Sequence, residues 1–316
     1  MFLMKETFLT RFAPTSLSEF GNHVVVRELM RVDMLRLLIV GGPGTGKSTL
    51  SRLIAAEYYS GCTNVKENVL VINCLKEQGI QYYRSEVRCF CQTTSTTTPR
   101  RKKMILLDDL DLITEQGQQV FLNCIDKYGG RVHYVATATT PQKIIECIHS
   151  RLLSVKLPHF SDEFILGVLR RVAAAEKIEV DPSVEMDIVR RCGASLRQML
   201  NYMEKFKLLG ARVTADVTES CCTNIHDRVL EAYTDAVLQG DLANAIAQIH
   251  AIYQDGYSVM DILDAYFSFV KTTSMGDEQK YKFIKIICKY IVFFNQLHEH
   301  QIELSFFTSD LVENRI

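Results

Sequence analysis

The sequence lacks an excess of either charge. Lys and Arg total 36 against 37 Asp and Glu in 316 residues, for a net charge of −1. A chain coated with basic charge is excluded, and contact with nucleic acid must come from a local patch. No apolar run is as long as a membrane span, because residues 284–294 are broken by Lys285 and Lys289. No membrane partner is therefore expected. No CxxC pair occurs: among ten cysteines the nearest neighbours are Cys89/Cys91 and Cys221/Cys222, spacings that do not build a structural zinc site. The first residues, MFLMKETFLTRF, have neither an uninterrupted apolar segment nor a small-residue cleavage site. Free, buried thiols in an intracellular, reducing compartment are expected rather than disulfides. There is no internal repeat, and an apolar content of 47% is too high for general disorder.

What is present is a change of pattern along the chain. The length suits two or three domains. Short apolar runs at 35–40, 69–74, 104–107 and 132–137 read as buried strands, and 154–157 as an edge strand. Helical patterns fall between them at 47–59, 80–91, 116–128 and 141–150. Strands alternating with helices predict a parallel sheet covered on both faces. Residues 91–103, CQTTSTTTPRRKK, read as a solvated loop with a basic end. After Pro158 only helices are expected. Ser161 caps the first, with Asp162 and Glu163 in its opening turn, and Gly210 ends the helix at 195–209. Further helices are expected near 225–238, 242–253, 258–272 and 277–299, with a short last one. The expected organisation is an α/β domain over 1–158, a small helical domain over 159–212 and an all-α domain over 213–316.

The chemistry concentrates in the turn after the first strand. Gly41, Gly42, Pro43, Gly44, Thr45, Gly46, Lys47 and Ser48 match G-x-x-x-x-G-K-[ST] in full, and Thr49 follows. Glycines let the backbone approach phosphate oxygens. The loop N–H groups and the helix N-terminus point at the anion. Lys47 offers a charge to the β- and γ-phosphates, and Ser48 a hydroxyl to Mg²⁺. Such a site needs a carboxylate at the end of another strand, and MILLDDLD supplies it: Asp108 to hold Mg²⁺, through water, and Asp109 to orient or deprotonate the attacking water.

These motifs resemble the ATP site of AAA+ proteins, and more closely the small subunits of replication factor C, a clamp loader. The likeness extends across most of the chain. It is carried by Arg11-Phe-Ala-Pro14 with Leu17 and Phe20, by the stretch from Asn73 to Phe90, by Lys143-Ile-Ile through Ser150-Arg151, by Ala194-Ser-Leu-Arg197-Gln-Met-Leu-Asn201 and by Asp255-Gly-Tyr-Ser258. The resemblance implies an AAA+ P-loop domain with a parallel sheet, a helical lid and a helical collar for oligomerisation. It implies ATP and Mg²⁺ as cofactors, and loading of a PCNA-type sliding clamp onto primer–template DNA within a hetero- or homo-oligomeric ring, a pentamer. The nucleus is implied for a eukaryotic source, and the cytoplasm or a viral replication site otherwise. It also implies residue roles. Arg151 is an arginine finger for a neighbour's ATP; as a sequence feature alone it is an ordinary helix-end arginine. Arg197 reaches the phosphates of its own subunit from the lid. Arg84 and Arg88, one turn apart, contact the DNA backbone; alone they read as a solvated basic face. Residues 100–103 read as a plain basic loop, with DNA contact or nuclear import as further uses.

The sequence also departs from the family. Asp109 stands where Glu is usual, which sets its carboxylate about 1.5 Å further from the water. Thr139 stands where a polarising Asn is usual and keeps only a hydroxyl. Ala13 replaces an arginine, Leu152 a cysteine, and Leu122 and Asn123 a basic pair. Three readings stay open at this level: a motor subunit that hydrolyses ATP, a scaffold subunit that holds ATP without turning it over, and a different AAA+ task such as origin initiation or helicase loading.

Overall fold

The computed structural model describes residues 7–20, 24–62, 65–74, 80–94, 101–210, 212–221, 225, 227–273, 275–296 and 300–314. By contacts they divide into two units, residues 1–218 and 219–316. The expected junction after residue 158 lies inside the first unit.

In the first unit, α1 (Phe8–Arg11), α2 (Leu17–Phe20) and α3 (Val24–Arg31) precede β1 (Arg36–Gly41) and α4 (Lys47–Tyr58). Then come β2 (Val69–Asn73), α5 (Ile80–Tyr82), a π-turn at Tyr83–Val87 and α6 (Arg88–Gln92). β3 (Lys103–Asp108), α7 (Glu115–Tyr128), β4 (Val132–Ala138), α8 (Glu146–His149) and β5 (Leu153–Leu157) complete the sheet. All five strands are parallel, in the order β2-β3-β4-β1-β5. β4 is buried along its whole length, which is why its sequence, VHYVATA, does not alternate. One face of the sheet packs Leu37, Ile39, Met104 and Val135 against Leu50 and Ile54 of α4. The other packs Leu38, Ile105, Tyr134 and Ala136 against Val87, Phe121 and Ile125.

Two sequence expectations change here. Residues 141–150 do not form one helix. A short 3₁₀ turn at Pro141–Lys143 and α8 are separated by extended Ile144 and Ile145. The buried Gln118 side chain explains this, donating through Nε2 to the Lys143 carbonyl (3.0 Å) and accepting the Ile145 N–H at Oε1 (2.9 Å). It takes backbone groups that a helix would need. The stretch 91–103 is also less solvated at its ends than expected. Cys91 is buried, Lys102 pairs with Asp33 (3.0 Å), and the buried Lys103 donates to Thr93 Oγ1 (2.6 Å) and lies over the Phe90 ring. Arg101 lies over Tyr58, while Arg100 and the rest of 95–100 are outside the described residues.

The lid helices α9 (Asp162–Glu176), α10 (Glu185–Arg191) and α11 (Leu196–Leu209) belong to the first unit. The Ser161 hydroxyl caps α9 by accepting the Phe164 N–H, Ser195 caps α11, and Gly210 ends α11 at φ +64°. α1 lies on this lid: the Phe8 N–H donates to Glu204 (3.4 Å) and Arg11 pairs with Glu176 (2.6 Å). α12 (Ala215–Cys221) was not expected from sequence.

The second unit is all-helical: α13 (Asp227–Gln239), α14 (Leu242–Gln254), α15 (Val259–Thr272), α16 (Asp277–Gln296) and α17 (Gln301–Glu313). Tyr233, Ile249, Leu263, Tyr266, Phe283, Ile287 and Phe307 fill its core. The Tyr233 hydroxyl, buried there, meets the Thr308 hydroxyl at 3.0 Å. No helix among the described residues is long and apolar enough to cross a membrane.

Candidate active site

The parallel sheet brings the C-terminal ends of β1, β3 and β4 together, and the residues singled out from sequence gather there. The loop 41–48 leaves β1 and enters α4. Gly44 and Gly46 have φ of +76° and +85°, a region that disfavours any side chain. A Cβ on Gly46 would stand 2.7 Å from Phe20 Cζ, and one on Gly44 2.5 Å from Ser195 Oγ. The loop is thus closely covered by α2 on one side and by the start of α11 on the other.

Lys47 is only 7% exposed, and its ammonium donates to the carbonyls of Gly41 and Gly42, both at 2.9 Å. Burial lowers its pKa, and the charges of Asp109, Asp111 and Asp108 oppose that fall. Its amino group is held above the loop by these backbone oxygens. Thr45 braces the same turn through a bond from its hydroxyl to the Gly42 carbonyl (2.8 Å). Thr49 lies in the first turn of α4.

Asp108 ends β3. Its Oδ1 accepts the Ser48 hydroxyl at 2.8 Å and the Thr137 hydroxyl at 2.7 Å. The donor set fits Mg²⁺. A hydroxyl and a carboxylate, both hard oxygen donors, meet at 2.8 Å, and Mg²⁺ is held by one or two such protein groups, directly or through water, with phosphate and water for the rest. No cluster of three or more His, Cys, Asp or Glu forms a metal cage among the described residues.

Asp109 takes a left-handed conformation, φ 57° and ψ 56°, rare for a residue with a side chain. Its pKa is raised, first by burial and then by the Asp108 carboxylate, against the pull of Lys47. Arg197 is close enough for its charge to act on both Asp109 and Lys47. Thr139 is placed differently. Its side chain is exposed, and its N–H donates to Asp111 Oδ1 (3.3 Å), while the Thr140 N–H donates to Asp111 Oδ2 (2.9 Å).

Arg151, Arg84 and Arg88 lie outside this cluster. Arg151 pairs with Asp126 of α7. Arg84 and Arg88 are exposed and line a groove of about 640 Å³ with Lys127, Gln116, Gln119 and Asn123. The π-turn between α5 and α6 carries Arg84. Leu122 turns toward the core, whereas Asn123 faces the groove.

Sequence reasoning missed Thr137 and the bracing role of Asp111. A hydroxyl one residue from the end of a fully buried strand was the available signal.

Residues 37–157 match the model of the ATPase family associated with various cellular activities (AAA), and residues 225–290 match the replication factor C C-terminal domain. Replication factor C subunit 2 of Arabidopsis thaliana is 30% identical over 285 residues, covering 89% of this chain and 85% of its own. The chain belongs to the replication factor C family of clamp-loader subunits. A replication factor C small subunit of Methanococcus maripaludis, 23% identical, covers 90% of this clamp-loader-family chain and 91% of its own. The RuvB Holliday junction branch migration motor of Thermotoga maritima shares the fold, with a TM-score of 0.53 at 16% identity over 72% of this family member and 79% of its own chain.

Proposed function

We propose that this replication factor C family member is a motor subunit of a clamp loader, which binds ATP with Mg²⁺, closes with sister subunits around primer–template DNA, and hydrolyses ATP to release a PCNA-type clamp. The observation that carries the reading is the convergence of Lys47, Ser48, Asp108 and Asp109 at the strand ends, with Ser48 and Asp108 hydrogen-bonded at 2.8 Å. The loop N–H groups bind the triphosphate, and Lys47 exchanges its carbonyl partners for phosphate oxygens. When bound, Mg²⁺ supplies charge neutralisation at the β- and γ-phosphates. Ser48 and Asp108 are the residues that would hold it. Asp109 orients the attacking water and accepts its proton. Arg197 follows the phosphates from the lid, and Arg151 serves a neighbouring subunit's site. Arg84 and Arg88 neutralise DNA phosphates without reading bases.

The test is ATP turnover by the reconstituted complex. Stimulation by primed DNA and clamp, lost in Lys47→Ala, is the expected result. No stimulation, with Lys47→Ala behaving as wild type, refutes the proposal.

A second reading has its own support. The short Asp109 side chain and the exposed Thr139 favour a subunit that holds ATP as a scaffold. Asp109→Asn separates the two in a complex whose other sites are silenced: lost turnover favours the motor, unchanged turnover the scaffold. The match to the replication factor C C-terminal domain weighs against the third reading, another AAA+ task.

A further inference from the structure

We infer that Thr137 is the positioning residue of this site, one hydroxyl that sets the Asp108 carboxylate and the Asp109 backbone together. The inference rests on the reading of the site as an ATP and Mg²⁺ site, and deepens it.

Thr137 is fully buried on the central strand β4. The last ladder pair between β3 and β4 is Leu107 with Ala136, so Thr137 stands beside Asp108. A buried hydroxyl has one proton to give and lone pairs to receive. Thr137 uses both functions, donating to Asp108 Oδ1 at 2.7 Å and accepting the Asp109 N–H at 3.0 Å. The direction of each bond is fixed. A backbone N–H can only donate, so the Thr137 proton is left for the carboxylate. Ser48 donates to the same Asp108 oxygen, and two hydroxyls from different elements therefore fix its position.

Asp109 gains in another way. Its left-handed backbone persists only where neighbours hold it. The N–H leading into that conformation is the one Thr137 accepts. The stiff χ1 of a β-branched side chain, fully buried here, keeps the hydroxyl from rotating away. Asp111 ties this loop to the segment after β4 by accepting the Thr139 and Thr140 N–H groups. Thr137 is thus the contact that joins the metal-side acid to the water-side acid.

The test compares Thr137→Val, which keeps the shape and removes the hydroxyl, with Thr137→Ser, which keeps the hydroxyl. Binding of a slowly hydrolysed ATP analogue to the full chain is titrated against Mg²⁺ by calorimetry, with EDTA as the reference. Thr137→Val is expected to need roughly 10–100-fold more Mg²⁺ for half of the metal-dependent gain in affinity, with EDTA binding unchanged, because partners of ligating groups typically carry that much metal affinity. Thr137→Ser restores the wild-type midpoint. A purely structural role moves the melting temperature and leaves the Mg²⁺ midpoint in place. If the Val variant does not fold, Thr137→Ala against Thr137→Ser gives the same comparison. A hydroxyl-free variant that folds and shares the wild-type midpoint overturns the inference alone. A folded wild type whose analogue binding ignores Mg²⁺ overturns the ATP-site reading and this inference with it.

Discussion

Arg151 is held by Asp126 of its own chain. Its Nε donates to Asp126 Oδ1 at 2.6 Å, and Nη1 donates to the Cys147 carbonyl (3.0 Å) and the Ser150 hydroxyl (3.2 Å). Asp126 lies on α7, the helix that also lines the arginine groove. A guanidinium held at two of its nitrogens keeps a defined direction, as the proposed finger role requires.

Arg151→Ala is therefore expected to lower ATP turnover of the assembled complex by on the order of 10³-fold or more, the typical contribution of an arginine finger. ATP affinity at the variant's own loop stays unchanged. Calorimetry on the single chain, set beside turnover by the complex, checks both. A loss confined to the chain's own binding shows a local role instead.

Asp109→Asn tests the general base. Turnover falls steeply while nucleotide still binds. In the chain without nucleotide or metal, burial and the Asp108 carboxylate raise the Asp109 pKa. The same shift has a sign in stability. The folded chain holds this proton more tightly than the unfolded chain does, so stability declines as pH rises from the unfolded pKa through the folded one. Removing the charge should then raise the melting temperature near neutral pH, as activity is lost. A lower melting temperature for Asp109→Asn counts against this account.

Arg84→Ala and Arg88→Ala address DNA. Each should weaken binding evenly across sequences and reduce the slope of log affinity against log salt by about one unit. Fluorescence anisotropy on two unrelated primed duplexes, over a salt series, gives the slope. A change on one sequence only would point to base reading.

His133 predicts an acid sensitivity far from the nucleotide. Its Nδ1 accepts the Leu35 N–H (3.2 Å), so the proton sits on Nε2 and is donated to Asp33 (3.0 Å). Burial lowers its pKa, against the attraction of Asp33. The unfolded chain takes up a proton first, so stability is lost as pH falls below the unfolded value of about 6.5 toward the folded one. Denaturant titrations at pH 7.5 and 5.5 should show this loss, and His133→Gln should reduce it. An equal loss in both proteins assigns it to other groups.

Much of the α/β unit was legible because its signals are local. An apolar run, the glycine-rich turn, Lys47 and the MILLDDLD stretch each announce themselves within a few residues. Arg197 and the pair Arg84 and Arg88 came from the order of motifs. What stayed hidden depends on partners distant in sequence. Gln118 interrupts the helix expected at 141–150 through bonds to residues about 25 positions away. Thr137 looks like one more β-strand threonine until β3 places Asp108 beside it. α1 and α2 are too short to show a helical period, and their reason for being helical lies in the lid and in α4.

The attachment of α1 gives the lid a leash. Phe8 and Arg11 are fastened to the lid, whereas α2 rests on α4, and only residues 12–16 join the two. Pulled straight, that tether reaches roughly 20 Å. Any swing of the lid over the nucleotide must either stay within this arc or unfasten Glu204 and Glu176. The start of the chain thus sets the travel of a part that lies some 150 residues further on.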